Sequence, residues 1–159
     1  MKIRTEDREK ALAIIAETLA NIDAQIDVKD LPTHDAKTIE VFTTGQTTGI
    51  YLFEMAKIRH LLKRIRSVDF DQLERLITLY YSDKREVARD YIVDGKLELP
   101  ISICSNRLDT YIAYQTAYLK AHYTEAFMVA TIKKHIGNEE WLSLYMNECK
   151  RLGVRIYGL

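Results

Sequence analysis

The densest chemistry in the chain is cationic. Between Glu54 and Asp69 no acidic residue interrupts KIRHLLKRIR, which supplies Lys57, Arg59, Lys63, Arg64 and Arg66. On a helix these side chains form a stripe beside an apolar face of Met55, Ile58, Leu62 and Ile65. Such a stripe can contact phosphates, each contact adding to a salt-dependent affinity. The plainer alternative is a solvated face whose long side chains cover the edge of the core. Weaker cationic candidates are Lys120, Lys133 and Lys134. The 10 Tyr are the second oddity, because Tyr111, Tyr114 and Tyr118 fall at i, i+3 and i+7 and share one helix face. Aromatic rings stack on exposed bases, but a tyrosine stripe more often forms a core or interface face.

Other chemistries find little support. His34, His60, His122 and His135 are not spaced at i, i+4, and no HExxH, GxSxG, Walker-type or GxGxxG string occurs. Asp69 with Asp71 and Glu139 with Glu140 are carboxylate pairs of a kind that two-metal phosphoryl transfer needs. Both fall where helix N-termini are expected, and compensation of the helix dipole accounts for them. Cys104 and Cys149 have neither zinc nor disulfide spacing. No metal site and no cofactor is expected.

The scaffold that must hold these residues is bounded by composition. A length of 159 residues fits one domain, and 47% hydrophobic with 29% charged residues lies within the globular range. Lys+Arg and Asp+Glu both number 23, so any nucleic-acid contact must come from a local patch rather than from net charge. No apolar run reaches membrane-spanning length, and the charged start has no apolar segment after it, so no membrane association and a cytoplasmic location are expected.

Only 6 Gly and 2 Pro, with long stretches at 3.6-residue spacing, predict an all-α, compact multi-helix bundle. Thr5 is expected to cap a helix reaching about Asn21, and Thr33 a short one closed by Gly45. A helix is read over 51–66, and the Asp69 and Gln72 capping box opens the next. A short helix follows over 86–93 and stops at Gly95. The least helical stretch, 96–105, serves as a connector between a first sub-bundle (1–95) and a second (106–159) within one domain. The second holds helices over 106–122, 124–136 and 138–152, and the alternating tail VRIYGL fits one short C-terminal strand.

Two stretches carry a resemblance. TTGIYLFEMAKIRHLLKRIRSVDFDQLERLITLYY (47–81) resembles the opening of the fingers region of the bacterial replicative DNA polymerase III alpha subunit. AYQTAYLKAHYTEAFMVATIKKHIGNEEWLSLYMNECKRLGVRIYGL (113–159) resembles its later part, with YQTAYLKAHY and ECKRLG the most specific strings. The preceding IDVKDLPTHDAKTIEVFTTGQ resembles the approach to the first block, so the likeness runs from about Lys10 onward.

The departures matter as much as the match. The resemblance implies that catalysis in the family rests on palm aspartates that hold two Mg²⁺, upstream of the matched region. It also implies a long insert between the blocks, with basic residues for the incoming triphosphate, which here shrinks to the stretch between Tyr81 and Thr110. Where the family has a Phe-Gln pair this chain has Tyr51 and Leu52, and where it has Ser-Arg-Gly after the glutamate it has Met55, Ala56 and Lys57, although Glu54 is kept. The family's Arg-Pro-Gly-Pro turn falls on Tyr81 to Lys84, and its Lys-Ser-His-Ser stretch falls near Ile103 to Asn106 without the Lys or His. The resemblance therefore implies a shortened, non-catalytic relative without polymerase activity of its own. The leading expectation is a DNA-replication-related, DNA-binding accessory. The alternative is a helical protein-interaction module, self-associating or bound to a replication protein, whose interface is Tyr111, Tyr114 and Tyr118.

Overall fold

A computed structural model describes residues 2–99 and 106–156. They form the all-α architecture that the periodicity predicts, with one small hairpin added. In chain order the elements are α1 (Thr5–Ala20), α2 (Ala36–Thr43), α3 (Ala56–Arg64), α4 (Phe70–Tyr80), β1 (Ile92–Val93), β2 (Lys96–Leu97), α5 (Arg107–His122), α6 (Thr124–Lys134) and α7 (Glu139–Leu152). Single 3-10 segments, Val28–Asp30 and Arg85–Tyr91, precede α2 and β1.

The hub is α5, which packs against α1, α2, α4 and α6. Covered on so many sides, the helix has no exposed face from Asp109 onward, although Arg107 and Leu108 in its first turn remain open to solvent. Its apolar Ile112, Ala113, Ala117 and Leu119 are buried, and so are its polar Asp109, Thr110, Gln115 and Lys120. Each of those polar groups must therefore find a partner inside. The other half of the core gathers where Phe42 of α2 meets Phe53 edge-on, with ring centroids 5.1 Å apart. Ile58 and Leu62 of α3 and Leu73, Leu76 and Ile77 of α4 complete it.

Several expected boundaries move, each for a local reason. The helix expected from residue 51 begins only at Ala56. Before it, Thr47 Oγ1 donates to the Phe53 carbonyl at 2.6 Å and the Gly49 N–H donates to Glu54 Oε2 at 2.8 Å. These side chain to backbone bonds satisfy groups that a helix would otherwise pair, and they fold 47–54 into successive turns. The cap of α2 is Asp35 rather than Thr33, its carboxylate accepting from the Thr38 N–H at 3.1 Å and hydroxyl at 2.7 Å. Asp69 caps α4 as expected, at 2.8 Å from the Gln72 N–H. Gln72 does not reach back to complete a capping box, because its amide pairs with both the N–H and the carbonyl of Leu97 in β2.

The helix expected over 86–93 is instead a 3-10 turn running into the β1–β2 hairpin, in register Ile92 with Leu97 and Val93 with Lys96. Asp94 and Gly95 both have positive φ, at 52° and 77°, as a two-residue hairpin turn requires. The expected connector thus contributes β2, and its 100–105 portion lies outside the described residues. In the tail expected as a strand, 154–156 carries no strand pairing, and 157–159 likewise lies outside them. Asn138 caps α7 at 3.3 Å from the Trp141 N–H, and Gly153 closes it in the left-handed region. The acidic pairs sit at helix starts as expected, Asp69 as cap and Asp71 in the first turn of α4, and Glu139 and Glu140 in the first turn of α7.

Candidate nucleic-acid interface

The cations of α3 divide by position. Lys57, Lys63 and Arg64 are exposed, and Arg66 just beyond the helix is exposed as well. Lys57 is 3.6 Å from Glu86, but both groups are open to solvent, so the contact leaves the ammonium available. Arg59 is half-buried, its Nε and Nη2 donating to Thr47 Oγ1 at 3.2 Å and Thr48 Oγ1 at 3.1 Å. It therefore ties the turns ahead of α3 to the helix. Lys63 and Arg64 also occupy the last turn, where the helix dipole favours cations.

The hairpin supports the far end of the stripe. The Arg66 N–H donates to the Gly95 carbonyl at 2.7 Å, and a Cβ on Gly95 would lie 2.6 Å from Arg66 Cβ. Only glycine permits both the turn and this approach. Lys96, the next residue after Gly95, is exposed on β2. The sequence signal for this support is Asp94-Gly95 between two short apolar-leaning runs, a strong hairpin signature.

The other candidates do not join this surface. Lys120 is corrected from a phosphate contact to an internal staple. Its side chain is 4% exposed, and Nζ donates to the carbonyls of Gln46 (3.0 Å) and Thr48 (2.7 Å) and to Glu148 Oε2 (2.6 Å). Burial lowers the Lys120 pKa against the opposing pull of Glu148. Burial also opposes ionisation of Glu148, but bonds from Arg151 and Lys120 outweigh it and hold that carboxyl below its ordinary range. Lys133 and Lys134 are exposed at the end of α6, Lys133 lying 3.6 Å from Glu17 of α1.

The tyrosine face is likewise turned inward. Tyr114 is corrected from an interface residue to a core residue, fully buried, its hydroxyl donating to the Pro32 carbonyl and accepting from the Asp35 N–H. Tyr111 is half-buried, and its hydroxyl accepts from the Leu31 N–H at 3.0 Å. Tyr118, also half-buried, lies 4.3 Å from the His122 ring, which in turn meets Asp35 at 2.7 Å. The stripe thus docks the 31–35 segment onto α5. The pairing partners lie about eighty residues away, so no local pattern identifies them.

Comparison with known sequences decides the family. The family described as bacterial DNA polymerase III alpha subunit finger domain matches residues 11–137. The chain belongs to this finger-domain family. The matched span takes in α2, α3, α4 and the hub α5, so the frame that positions the basic stripe is the finger-domain frame. Among individual relatives, the DNA polymerase III subunit alpha of Borreliella burgdorferi is 51% identical over 45 residues, covering 28% of this chain and 4% of the relative. That of Staphylococcus epidermidis is 29% identical over 79 residues, covering 50% of this chain and 7% of the relative. That of Rickettsia conorii is 44% identical over 45 residues, covering 28% of this chain and 4% of the relative. The finger-domain chain therefore spans less than a tenth of the length of these relatives. No helix among the described residues is long and apolar enough to cross a membrane.

Proposed function

We propose that this finger-domain chain is a DNA-binding accessory in replication that does not itself polymerise DNA. The observation supporting it is the exposed run Lys57, Lys63, Arg64 and Arg66, uninterrupted by acid along the chain and presented on one short helix and its flank. Its only ion pair among the described residues is the solvent-open Lys57–Glu86 contact. The finger-domain relationship places relatives in DNA polymerases, and phosphate contact is what such a run offers physically. The inward tyrosine face removes the main support for a tyrosine-built protein interface.

Fluorescence anisotropy with single-stranded, duplex and primer-template DNA at two salt concentrations tests the reading. Binding should weaken as salt rises, and removing one phosphate-binding cation should lower the log–log slope by about 0.7–0.9. Lys63→Glu with Arg64→Glu should therefore reduce both affinity and slope, whereas Lys120→Met should change neither in molecules that remain folded. Absence of binding at low salt, or indifference to the charge reversals, would overturn it. Primer extension with Mg²⁺ and all four deoxynucleotides should yield no product; extension would sink the non-catalytic half.

A further inference from the structure

A cavity of about 400 Å³ opens beside the start of α3, between α1, the 49–55 turns and α7. That volume lies within the range of small-molecule sites. Its walls are aromatic: Tyr51, Tyr81, Trp141 and Tyr145, with Trp141 and Tyr145 stacked at 5.6 Å and 19°. Among them lies Glu54, whose Oε2 accepts from the Gly49 N–H at 2.8 Å and the Tyr145 hydroxyl at 3.0 Å. Its Oε1 receives only the weaker share of the same hydroxyl, at 3.2 Å, and so keeps acceptor capacity. His135 also lines the cavity. Its Nδ1 faces the Thr131 carbonyl at 2.7 Å, which can only accept, so Nδ1 carries the hydrogen and Nε2 is an acceptor. Lys2, Arg4 and Lys10 contribute cations to the lining, which also holds Asp7, and Arg4 Nη2 donates to the exposed Glu6 at 2.8 Å, a solvent-open pair that leaves its charge near the mouth.

From this arrangement we infer that the cavity binds a single guanine nucleotide, the base against the aromatic wall with its N–H edge on Glu54 and the phosphate toward Lys2, Arg4 and Lys10. Guanine presents two adjacent donors, N1–H and the N2 amino group, to a carboxylate. Adenine and cytosine instead place a ring-nitrogen lone pair beside their amino group, which would face the Glu54 oxygens. Flat walls suit a stacked base, and the ionised Glu54 carboxylate at the aromatic end favours the base whose edge donates twice. The nucleotide has two conceivable sources, a free mononucleotide or a base unstacked from a single strand lying along α3. The cavity residues lie outside the basic stripe, so the guanine site is tested apart from the DNA-binding reading, and only the strand-borne source rests on that reading.

Trp141 is the only tryptophan in the chain and lines this cavity, so its fluorescence reports from the cavity wall. Titration of the full chain with guanosine monophosphate should give a saturable change. Adenosine and cytidine monophosphates should require about tenfold or more higher concentration, the scale of one bidentate base contact. Glu54→Gln should abolish the preference for guanine while circular dichroism reports the fold. Should that variant fail to fold, the nucleotide series on the unaltered protein still decides. No saturable change up to millimolar nucleotide, or equal response to all bases, would overturn the inference. A guanine-bearing oligonucleotide separates the sources: a strand-borne base requires Lys63 and Arg64, whereas a free nucleotide binds equally to Lys63→Glu/Arg64→Glu.

Discussion

Individual buried polar groups set how stability depends on conditions. Lys120 joins three parts of the chain through one ammonium, and its removal strands the Gln46 and Thr48 carbonyls beside a buried Glu148. Lys120→Met should cost about 3 kcal/mol, the scale of breaking a buried pair, read by urea denaturation. Asp109 titrates in the usual acid direction. Burial would raise its pKa, but two bonds from Arg8 (2.7 and 2.8 Å) and one from Tyr51 (2.8 Å) outweigh it and hold it low. The folded state therefore takes up this proton less readily than the unfolded one. Its stabilisation is complete above about pH 4 and disappears as pH falls through the lower folded value. The gap in Tm between the unaltered protein and Asp109→Asn should close below pH 4. Glu54 has the opposite sign, since burial raises its pKa despite bonds from Gly49 and Tyr145. Its ionised form is a cost at neutral pH that begins to lift as pH falls below the raised value and is gone once pH lies below the ordinary glutamate value. Glu54→Gln should therefore match or exceed the unaltered protein in Tm near neutrality, and lose that advantage in acid.

At the scale of elements, caps and turns decide where the chain changes direction. Asp69 satisfies an N–H at the start of α4, and Asp69→Ala should cost about 1 kcal/mol, measured by thermal unfolding. Gly95 is more constrained, because a side chain there meets both a positive φ and Arg66. Gly95→Ala should cost about 1–2 kcal/mol and shorten the hydrogen-exchange protection of the Arg66 amide. Much of this is legible in the sequence. The Asp69 and Asn138 caps, the end of α2 near Gly45 and the extents of α5 and α7 follow from short-range rules. The start of α3 is not legible there, because Thr47 and Glu54 bond the backbone locally and their preference for doing so is weaker than the apolar period that suggests a helix.

The whole molecule is organised by α5, which meets α1 and α2 from the front of the chain and α6 from the back. The Arg8–Asp109 pair fastens the same junction across 101 residues. Residues 1–95 alone lack that surface and should show no cooperative melt by circular dichroism, whereas the full chain should. Phe42→Ala, which removes the ring buried against Phe53, should cost about 3–5 kcal/mol in the full chain.

What the sequence determined by itself is what short-range rules carry: helical class, the Asp69 and Asn138 caps but not those expected at Thr5 and Thr33, the family, and the cluster of cations around α3. These depend on residues within a turn or two of one another, or on strings long enough to identify a relative. Only the tertiary structure decided which polar groups remain available to a ligand. Lys63 and Lys120 are the same residue type on helices, yet one is exposed and the other is enclosed by Gln46, Thr48 and Glu148. Tyr111 and Tyr114 carry the spacing of a surface stripe, yet dock a segment about eighty residues distant. Burial is a property of what packs over a residue, and those neighbours come from helices far away in the chain.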